Sequence, residues 1–184
     1  ATLSGQSVNT SASGATNFSL PINDFVLNTH LNGRIGGDTN TPDGIIDNSQ
    51  FATTNSSIGL SFVKDWGYIG ASFGTYLSNF GIPPDPSGHP DGVDIEMHKF
   101  NYAVKGEYLI GKSFLKTIEA DFSINNYMHR EYENPTSIGT EFGLVTTVLQ
   151  INVNHGALGI FENGKFGISG ETEDYSVFGA STPD

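Results

Sequence analysis

The sequence lacks cysteine and is poor in basic residues. With no cysteine among its 184 residues, it cannot form a disulfide framework or a thiolate zinc site. Lysine and arginine number 8 against 20 aspartates and glutamates, which gives a formal net charge of −12. Proteins that bind nucleic acid carry a basic surface, and this composition does not provide one. Nucleic acid is therefore not an expected partner.

Long apolar runs and catalytic signatures are also missing. No run of 18 or more apolar residues occurs, which excludes a transmembrane helix. It does not exclude a membrane-spanning β-strand, because such a strand needs only ~9–11 residues, of which every second one faces lipid. The five histidines are scattered, and neither a Gly-x-Ser-x-Gly nor a His-Glu-x-x-His motif is present. We therefore expect no enzymatic activity and no prosthetic group.

Alternation of apolar and polar residues predicts β-strands along most of the chain. Residues 57–83 read as two strands joined by a tight turn at residues 64–67. In the second of these strands, Ile69, Ala71 and Phe73 point to one side, and the residues between them point to the other. The clearest alternation occurs in residues 114–132, where Ile118, Ala120, Phe122 and Ile124 alternate with Glu119, Asp121, Ser123 and Asn125.

Further strands are predicted on both sides of this region. Residues 93–110 and 139–161 show the same period, and Asn163-Gly164 is a strong type I′ hairpin signal leading into residues 165–178. In the N-terminal part, a turn is expected near residues 11–14. A weak strand over residues 15–31 is interrupted by Pro21.

The predicted connections alternate in length. Short turns at residues 64–67, 111–114 and 162–164 alternate with long loops at residues 32–56, 81–92 and 133–138. Outer-membrane barrels have short periplasmic turns and long extracellular loops, and their aromatic residues gather near the strand ends. The pattern therefore favours an antiparallel up-and-down transmembrane β-barrel. The alternative is a secreted soluble β-sandwich with an adhesive or structural role.

One stretch also resembles a known family. Residues 55–83, NSSIGLSFVKDWGYIGASFGTYLSNFGIP, are similar to the early barrel strands of TonB-dependent outer-membrane receptors. The matching positions are Ser57, Gly59, Ser61, Phe62, Asp65, Gly67, Tyr68, Gly70, Ser72, Tyr76, Ser78, Asn79, Gly81, Ile82 and Pro83. Weaker similarity continues through VDIEMHKFNYAVKGEYL (residues 93–109) and through residues 155–180, where Gly164, Gly167, Asp174, Tyr175 and Gly179 fit the family spacing.

The resemblance implies a receptor of the bacterial outer membrane that imports a scarce nutrient, with a metal ion or a metal chelate as the favoured class. Its partners would be membrane lipid, the plug domain of the same protein and the periplasmic TonB protein. Such barrels have roughly 22 strands, whereas residues 1–184 supply about seven to nine and contain no plug. The chain is therefore expected to be a segment of a larger barrel.

Two acidic loops are candidate sites for a divalent metal ion. In residues 38–47, the oxygen donors of Asp38, Asn40, Asp43 and Asp47 resemble a calcium loop, although one inserted residue breaks the EF-hand pattern. A solvated loop of Asx turns is the alternative interpretation there.

The second loop offers a mixed set of histidines and carboxylates. Asp85, His89, Asp91 and His98 would suit zinc or a similar ion, and they are the predicted ligand-binding residues of a metal receptor. An acidic, proline-rich surface loop with incidental histidines is the alternative interpretation.

Overall fold

The computed structural model describes residues 1–111, 114–134, 137–157 and 159–179. These residues form an all-β, antiparallel structure, and they contain no helix long and apolar enough to cross a membrane. The strands are β1 (Thr2–Gln6), β2 (Ser11–Ile22), β3 (Phe25–Gly36), β4 (Thr39–Thr41), β5 (Gly44–Ile46), β6 (Phe51–Lys64), β7 (Gly67–Ile82), β8 (Val93–Leu109), β9 (Leu115–Asn134), β10 (Ser137–His155) and β11 (Gly164–Gly179).

Nine of these strands form one sheet in an up-and-down order. The spatial order β1-β2-β3-β6-β7-β8-β9-β10-β11 follows the chain, and β4 and β5 form a separate small hairpin within the β3–β6 connection. Within the described residues, β1 pairs only with β2 and β11 only with β10, so the sheet is open. The up-and-down antiparallel prediction is confirmed, whereas closure into a barrel is not seen.

The sheet has almost no buried core. Of the large hydrophobic residues that the structure describes, only Val93 and Ile95 are buried. Strands β6 to β11 are 14 to 20 residues long, well beyond the ~3–10 residues that are usual in globular proteins. Long strands in a single layer bury few of their side chains, because each face needs a second layer to cover it.

The predicted turn between β6 and β7 is present. Lys64 pairs with Gly67, which leaves Asp65 and Trp66 as a two-residue connection. Gly67 has a φ of +133°, and a Cβ at this position would lie 1.9 Å from the carbonyl oxygen of Glu107 on β8. Only glycine allows both this backbone conformation and this close approach.

Two of the predicted long loops are wrong in extent. Residues 32–36 belong to β3 and residues 51–56 to β6, so the loop predicted for residues 32–56 spans only residues 37–50. The loop predicted for residues 133–138 is largely strand, since β9 extends to Asn134 and β10 starts at Ser137. Polar residues such as Asn and Thr remain in strands here because their backbones are paired across the sheet.

Two predicted turns and one predicted strand interruption also need correction. The connection after β10 covers residues 156–163, so Asn163-Gly164 is not a two-residue hairpin; Gly164 already pairs with His155. The first turn lies at residues 7–10 rather than 11–14, with Thr10 at a φ of 47°. Pro21 does not interrupt β2, because β1 pairs only with residues up to Ala15 and leaves the rest of β2 at the sheet edge.

Candidate functional site

The candidate functional surface is the sheet itself, because its two faces differ in chemistry. Cross-strand partners share a face, so the register of the ladders assigns every strand residue to one side. One side, called here the polar face, carries mainly Ser, Asn, Gly and charged residues, among them Ser61, Ser72, Asn101, Lys105, Glu119, Asp121, Gln150 and Asn152.

The opposite side, called here the apolar face, is a continuous band of exposed hydrophobic residues. It continues across all the long strands, and Phe122 (40 % exposed), Phe166 (56 %) and Ile168 (73 %) are typical members. Other members are Leu20, Leu60, Ile69, Phe73, Tyr102, Val104, Ile118 and Leu149. An exposed apolar surface of this extent marks a site of contact with a membrane or with another protein.

The apolar band covers a stretch of nine residues on β10. On β10 it runs from Val145 to Val153, which at ~3.3 Å per residue is about 26 Å along the strand. A strand tilted by ~40°, as in membrane barrels, would span about 20 Å with this length, close to the ~25 Å apolar band of such proteins.

Aromatic rings line the short-turn end of the band. The ring of Phe25 lies 5.1 Å from that of Phe62, Phe62 lies 6.4 Å from Trp66, and Trp66 lies 6.1 Å from Tyr108. Farther along the sheet, the His155 ring is 6.2 Å from that of Phe166. Rows of aromatic side chains in this position are typical of the membrane–water interface.

Charged residues replace the apolar ones at the other end of the same face. Arg130 lies between two glutamates: its Nε is 2.5 Å from Glu141 Oε2, and its Nη1 is 3.6 Å from Glu96 Oε2. The Tyr132 hydroxyl also donates a hydrogen bond to Glu96, at 3.0 Å. This group, called here the charged belt, marks where the apolar band ends.

The polar face is held together by ion pairs and contains two shallow depressions. Lys105 Nζ is 3.1 Å from Asp121 Oδ1, and Lys165 Nζ is 2.7 Å from Glu119 Oε2. The depressions measure about 650 and 580 Å³ and are lined mainly by small and polar residues of β3, β6, β7 and β8. This surface can take up a hydrated or hydrogen-bonding partner.

Asn48 links the two longer loops at the charged-belt end. Asn48 donates from Nδ2 to the carbonyl oxygens of Ile82 (2.9 Å) and Val93 (3.1 Å), which flank loop 83–92. Gly92, with a φ of +80°, leaves room for this amide, since a Cβ there would approach Asn48 Nδ2 to 2.7 Å. These two hydrogen bonds hold the two ends of loop 83–92 next to Asn48.

Two of the four predicted calcium ligands are hydrogen-bonded to the protein. Asp38 Oδ1 accepts a hydrogen bond from the Ser49 amide at 2.8 Å, and Asn40 Nδ2 donates to the Val8 carbonyl at 3.0 Å. Asp43 and Asp47 lie exposed in the same loop. Across the described ranges of the chain, no group of three or more His, Asp or Glu residues is arranged to hold a metal ion. A calcium site in this loop stays a prediction.

The predicted zinc-type residues fall into two places. Asp85, His89 and Asp91 lie in loop 83–92, whereas His98 lies within β8 on the apolar face, with Nε2 3.2 Å from Glu96 Oε1. The amide and hydroxyl of Ser87 donate to Asp85 Oδ1 at 2.9 and 2.8 Å, and these bonds lower the pKa of the Asp85 carboxyl. Metal binding by this set also stays a prediction.

The charged belt was missed at the sequence level, although a usable signal was present. Arg130 has the same parity in β9 as Ile118, Phe122 and Ile124, so the alternation already placed it on their face. Its two glutamate partners come from β8 and β10, and they could not be chosen without the register of the three strands.

Comparison with known proteins assigns no family. No protein-family model matches the chain, and no curated protein is similar to it.

Proposed function

We propose that this chain forms part of the wall of an outer-membrane β-barrel, and that the complete protein is a receptor for TonB-dependent uptake of a scarce nutrient. A metal ion or metal chelate is the substrate class that we favour. The apolar face would contact lipid, and the polar face would line the interior of the barrel. The barrel would be closed by strands other than the nine of this sheet.

The single observation that carries the proposal is the apolar face. It is exposed across the sheet, it ends in aromatic rings on one side and in the charged belt on the other, and no second layer in the described residues covers it. Water is a poor solvent for such a surface, because each square ångström of exposed apolar area costs roughly 25 cal/mol relative to burial. A lipid bilayer would remove that cost.

The receptor part of the proposal rests on the sequence resemblance and on the placement of the loops. Residues 57–83, which carry the family-like positions, form β6, the Asp65-Trp66 turn and β7 in the middle of the sheet. The two longer loops, 37–50 and 83–92, lie together at the charged-belt end through Asn48. Loops held on a rigid sheet are common places for ligand capture.

A secreted soluble β-sandwich is the competing function. A sandwich buries one face of each sheet against a second sheet about 10 Å away. The only other sheet among the described residues is the hairpin of β4 and β5, with three residues in each strand, and it is too small to cover nine strands. The geometry therefore favours the membrane wall over the sandwich.

Depth-dependent fluorescence quenching can test the membrane assignment, because Trp66 is the single tryptophan of the chain. In phospholipid vesicles, lipids brominated near the headgroup should quench Trp66 more than lipids brominated near the chain ends, since Trp66 lies in the aromatic row. In a Trp66→Phe background, Phe122→Trp should instead be quenched best by deep bromines. Ser123→Trp, the matched control on the polar face, should be quenched weakly by both lipids.

Equal quenching of the Phe122→Trp and Ser123→Trp variants would contradict the membrane wall.

Fractionation of the natural protein is a second, complementary test. The proposal expects a protein several times longer than 184 residues that leaves the outer membrane only with detergent. A water-soluble protein of 19.7 kDa would overturn it in favour of the sandwich.

A further inference from the structure

A lysine on the polar face lies directly between two tyrosines. Lys99 of β8 is the cross-strand partner of Tyr76 on β7 and of Tyr127 on β9. Cross-strand partners project on the same face, so the three side chains form one row across neighbouring strands. This group, called here the Tyr-Lys-Tyr row, lies three residues along β8 from Glu96 of the charged belt. It lines the depression of about 580 Å³.

The cation of this row is available to a ligand. Lys99 is exposed, and across the described ranges of the chain it takes part in no ion pair. The Nζ atoms of Lys105 and Lys165, on the same face, lie 3.1 and 2.7 Å from carboxylate oxygens. Beside the row, Asn101 and Asn125 are neutral and hydrogen bond to each other at 2.9 Å. An anion can therefore contact Lys99 without displacing an acidic side chain.

The Tyr127 side chain is held in position by its neighbours. Its hydroxyl oxygen is 2.7 Å from His129 Nδ1, and the His129 ring stacks on that of Phe142 with 4.5 Å between the ring centroids. Tyr76 and Tyr127 are both half-buried. Side chains that are already ordered lose little conformational entropy when a ligand packs against them.

The space between the two tyrosines fits one flat ring. Neighbouring strands lie ~4.8 Å apart, so Tyr76 and Tyr127, two strands apart, are separated by about 10 Å. A ring midway between them would be about 5 Å from each, within the ~4.5–7 Å that separates paired aromatic rings. Gly74, next to the row, has no side chain, and a Cβ built there would meet its nearest neighbours at 3.6 Å. The floor of the depression therefore has room for a ligand.

We propose that the Tyr-Lys-Tyr row binds a small aromatic anion of the aryl carboxylate class. The ring would pack between the two tyrosines, and the carboxylate would pair with the Lys99 ammonium. A neutral aromatic molecule would lose the ion pair, and an anion without a ring would lose the stacking. This inference goes beyond the proposed function and does not depend on it, because strands β6 to β9 form the depression without a membrane.

Titration of the full chain in a non-ionic detergent with 4-fluorobenzoate, followed by fluorine NMR, tests the inference. Protein-free micelles give the partition of the probe into detergent. We expect 4-fluorobenzoate to bind more tightly than 4-fluorobenzamide, which lacks the charge, and than 4-fluorocyclohexanecarboxylate, which lacks the aromatic ring. Lys99→Gln should weaken binding of 4-fluorobenzoate about fivefold, as the loss of an exposed ion pair would. It should leave binding of the amide unchanged.

Further variants separate this site from general attraction to a lysine. Tyr76→Leu keeps apolar area but removes one ring, so it should weaken binding of 4-fluorobenzoate and of its amide about threefold. Gly74→Val would fill the depression from its floor and should weaken both at least fivefold. Lys64→Gln, the matched control, removes the same charge beside the β6–β7 turn, away from the row, and should leave both affinities unchanged. Circular dichroism checks that the sheet of each variant is intact.

The proposal is overturned if 4-fluorobenzoate associates with the protein no better than with protein-free micelles, or if the three probes bind equally. An unchanged affinity in Lys99→Gln or in Gly74→Val would also overturn it. These outcomes are distinct from those of the proposed function, because the quenching test compares the two faces in vesicles. A water-soluble chain that binds 4-fluorobenzoate through Lys99 would contradict the membrane wall and support this site.

Discussion

The two faces of this sheet belong to the same strands but carry side chains of opposite polarity. On β9, Ile118, Ala120, Phe122 and Ile124 form part of a band that is exposed and apolar, while the residues between them carry carboxylates, a hydroxyl and an amide. Neighbouring residues on one strand therefore present apolar and polar surface to opposite sides of the sheet. The comparison shows that the face on which a residue lies is set by its parity in the strand.

The two ends of the apolar face differ as well. Aromatic rings border it at the short-turn end, and Arg130, Glu96 and Glu141 border it at the other end. Both kinds of side chain are compatible with a membrane–water interface, but for different physical reasons. Aromatic side chains are amphipathic and tolerate either side of the boundary, whereas charged side chains are stable only on its aqueous side.

The largest expected effect on the free energy of unfolding comes from an arginine on the apolar face. An arginine at the adjacent position, on the polar face, is the matched control. Phe122→Arg should lower the free energy of unfolding in phospholipid vesicles by about 2–4 kcal/mol, the cost of an arginine at the lipid-facing midplane. Ser123→Arg should change it by less than about 1 kcal/mol, since that side chain projects from the polar face beside ionic residues. Urea titration followed by Trp66 fluorescence measures both values. Equal losses would mean that the two faces do not differ in environment.

A smaller effect is expected at the charged belt. Arg130→Gln should lower the free energy of unfolding by about 1–2 kcal/mol, because it leaves Glu96 and Glu141 close together without the cation that both contact. Adding Glu141→Gln to this variant should recover part of the loss. The same urea titration provides the four values of the double-mutant cycle. Additive losses would show that Arg130 and Glu141 do not act as a pair.

The smallest effect is expected on the polar face. Lys105→Met removes the ion pair with Asp121, which is exposed to solvent, and should cost only about 0.5 kcal/mol, as exposed pairs do. High salt should reduce the difference from the unchanged protein further. A loss as large as that of Phe122→Arg would place Lys105 in an apolar environment and would reverse the assignment of the faces.

Much of the fold could be predicted from local patterns. The alternation in residues 67–83, 93–110 and 114–132 gave the correct faces of β7 to β9. The Lys64–Gly67 turn was also correct, and Gly67 supplies the positive φ that it needs. Polar strands were harder to recognise. Residues 32–36 and 51–56 resemble a loop in composition but are strands, because their backbone groups pair across the sheet.

The candidate site was predicted only in part. Glu119 and Asp121 were placed correctly on one face from their alternation with Ile118, Ala120 and Phe122. The partners of each could not be assigned, since Lys105 pairs with Asp121 while Glu119 pairs with Lys165 from β11. The composition of the acidic loops predicted metal sites there. The charged belt was not predicted, because its residues are far apart in the chain.

The sequence by itself determined that strands of this chain have one apolar and one polar side, because successive side chains in a strand point in opposite directions. Only the tertiary structure decided which residues lie opposite one another, where the apolar band ends and which edges stay open. Register is a relation between strands, and the alternation within a single strand does not specify it. Arg130 therefore contacts Glu96 and Glu141 only once the strands that carry them are paired.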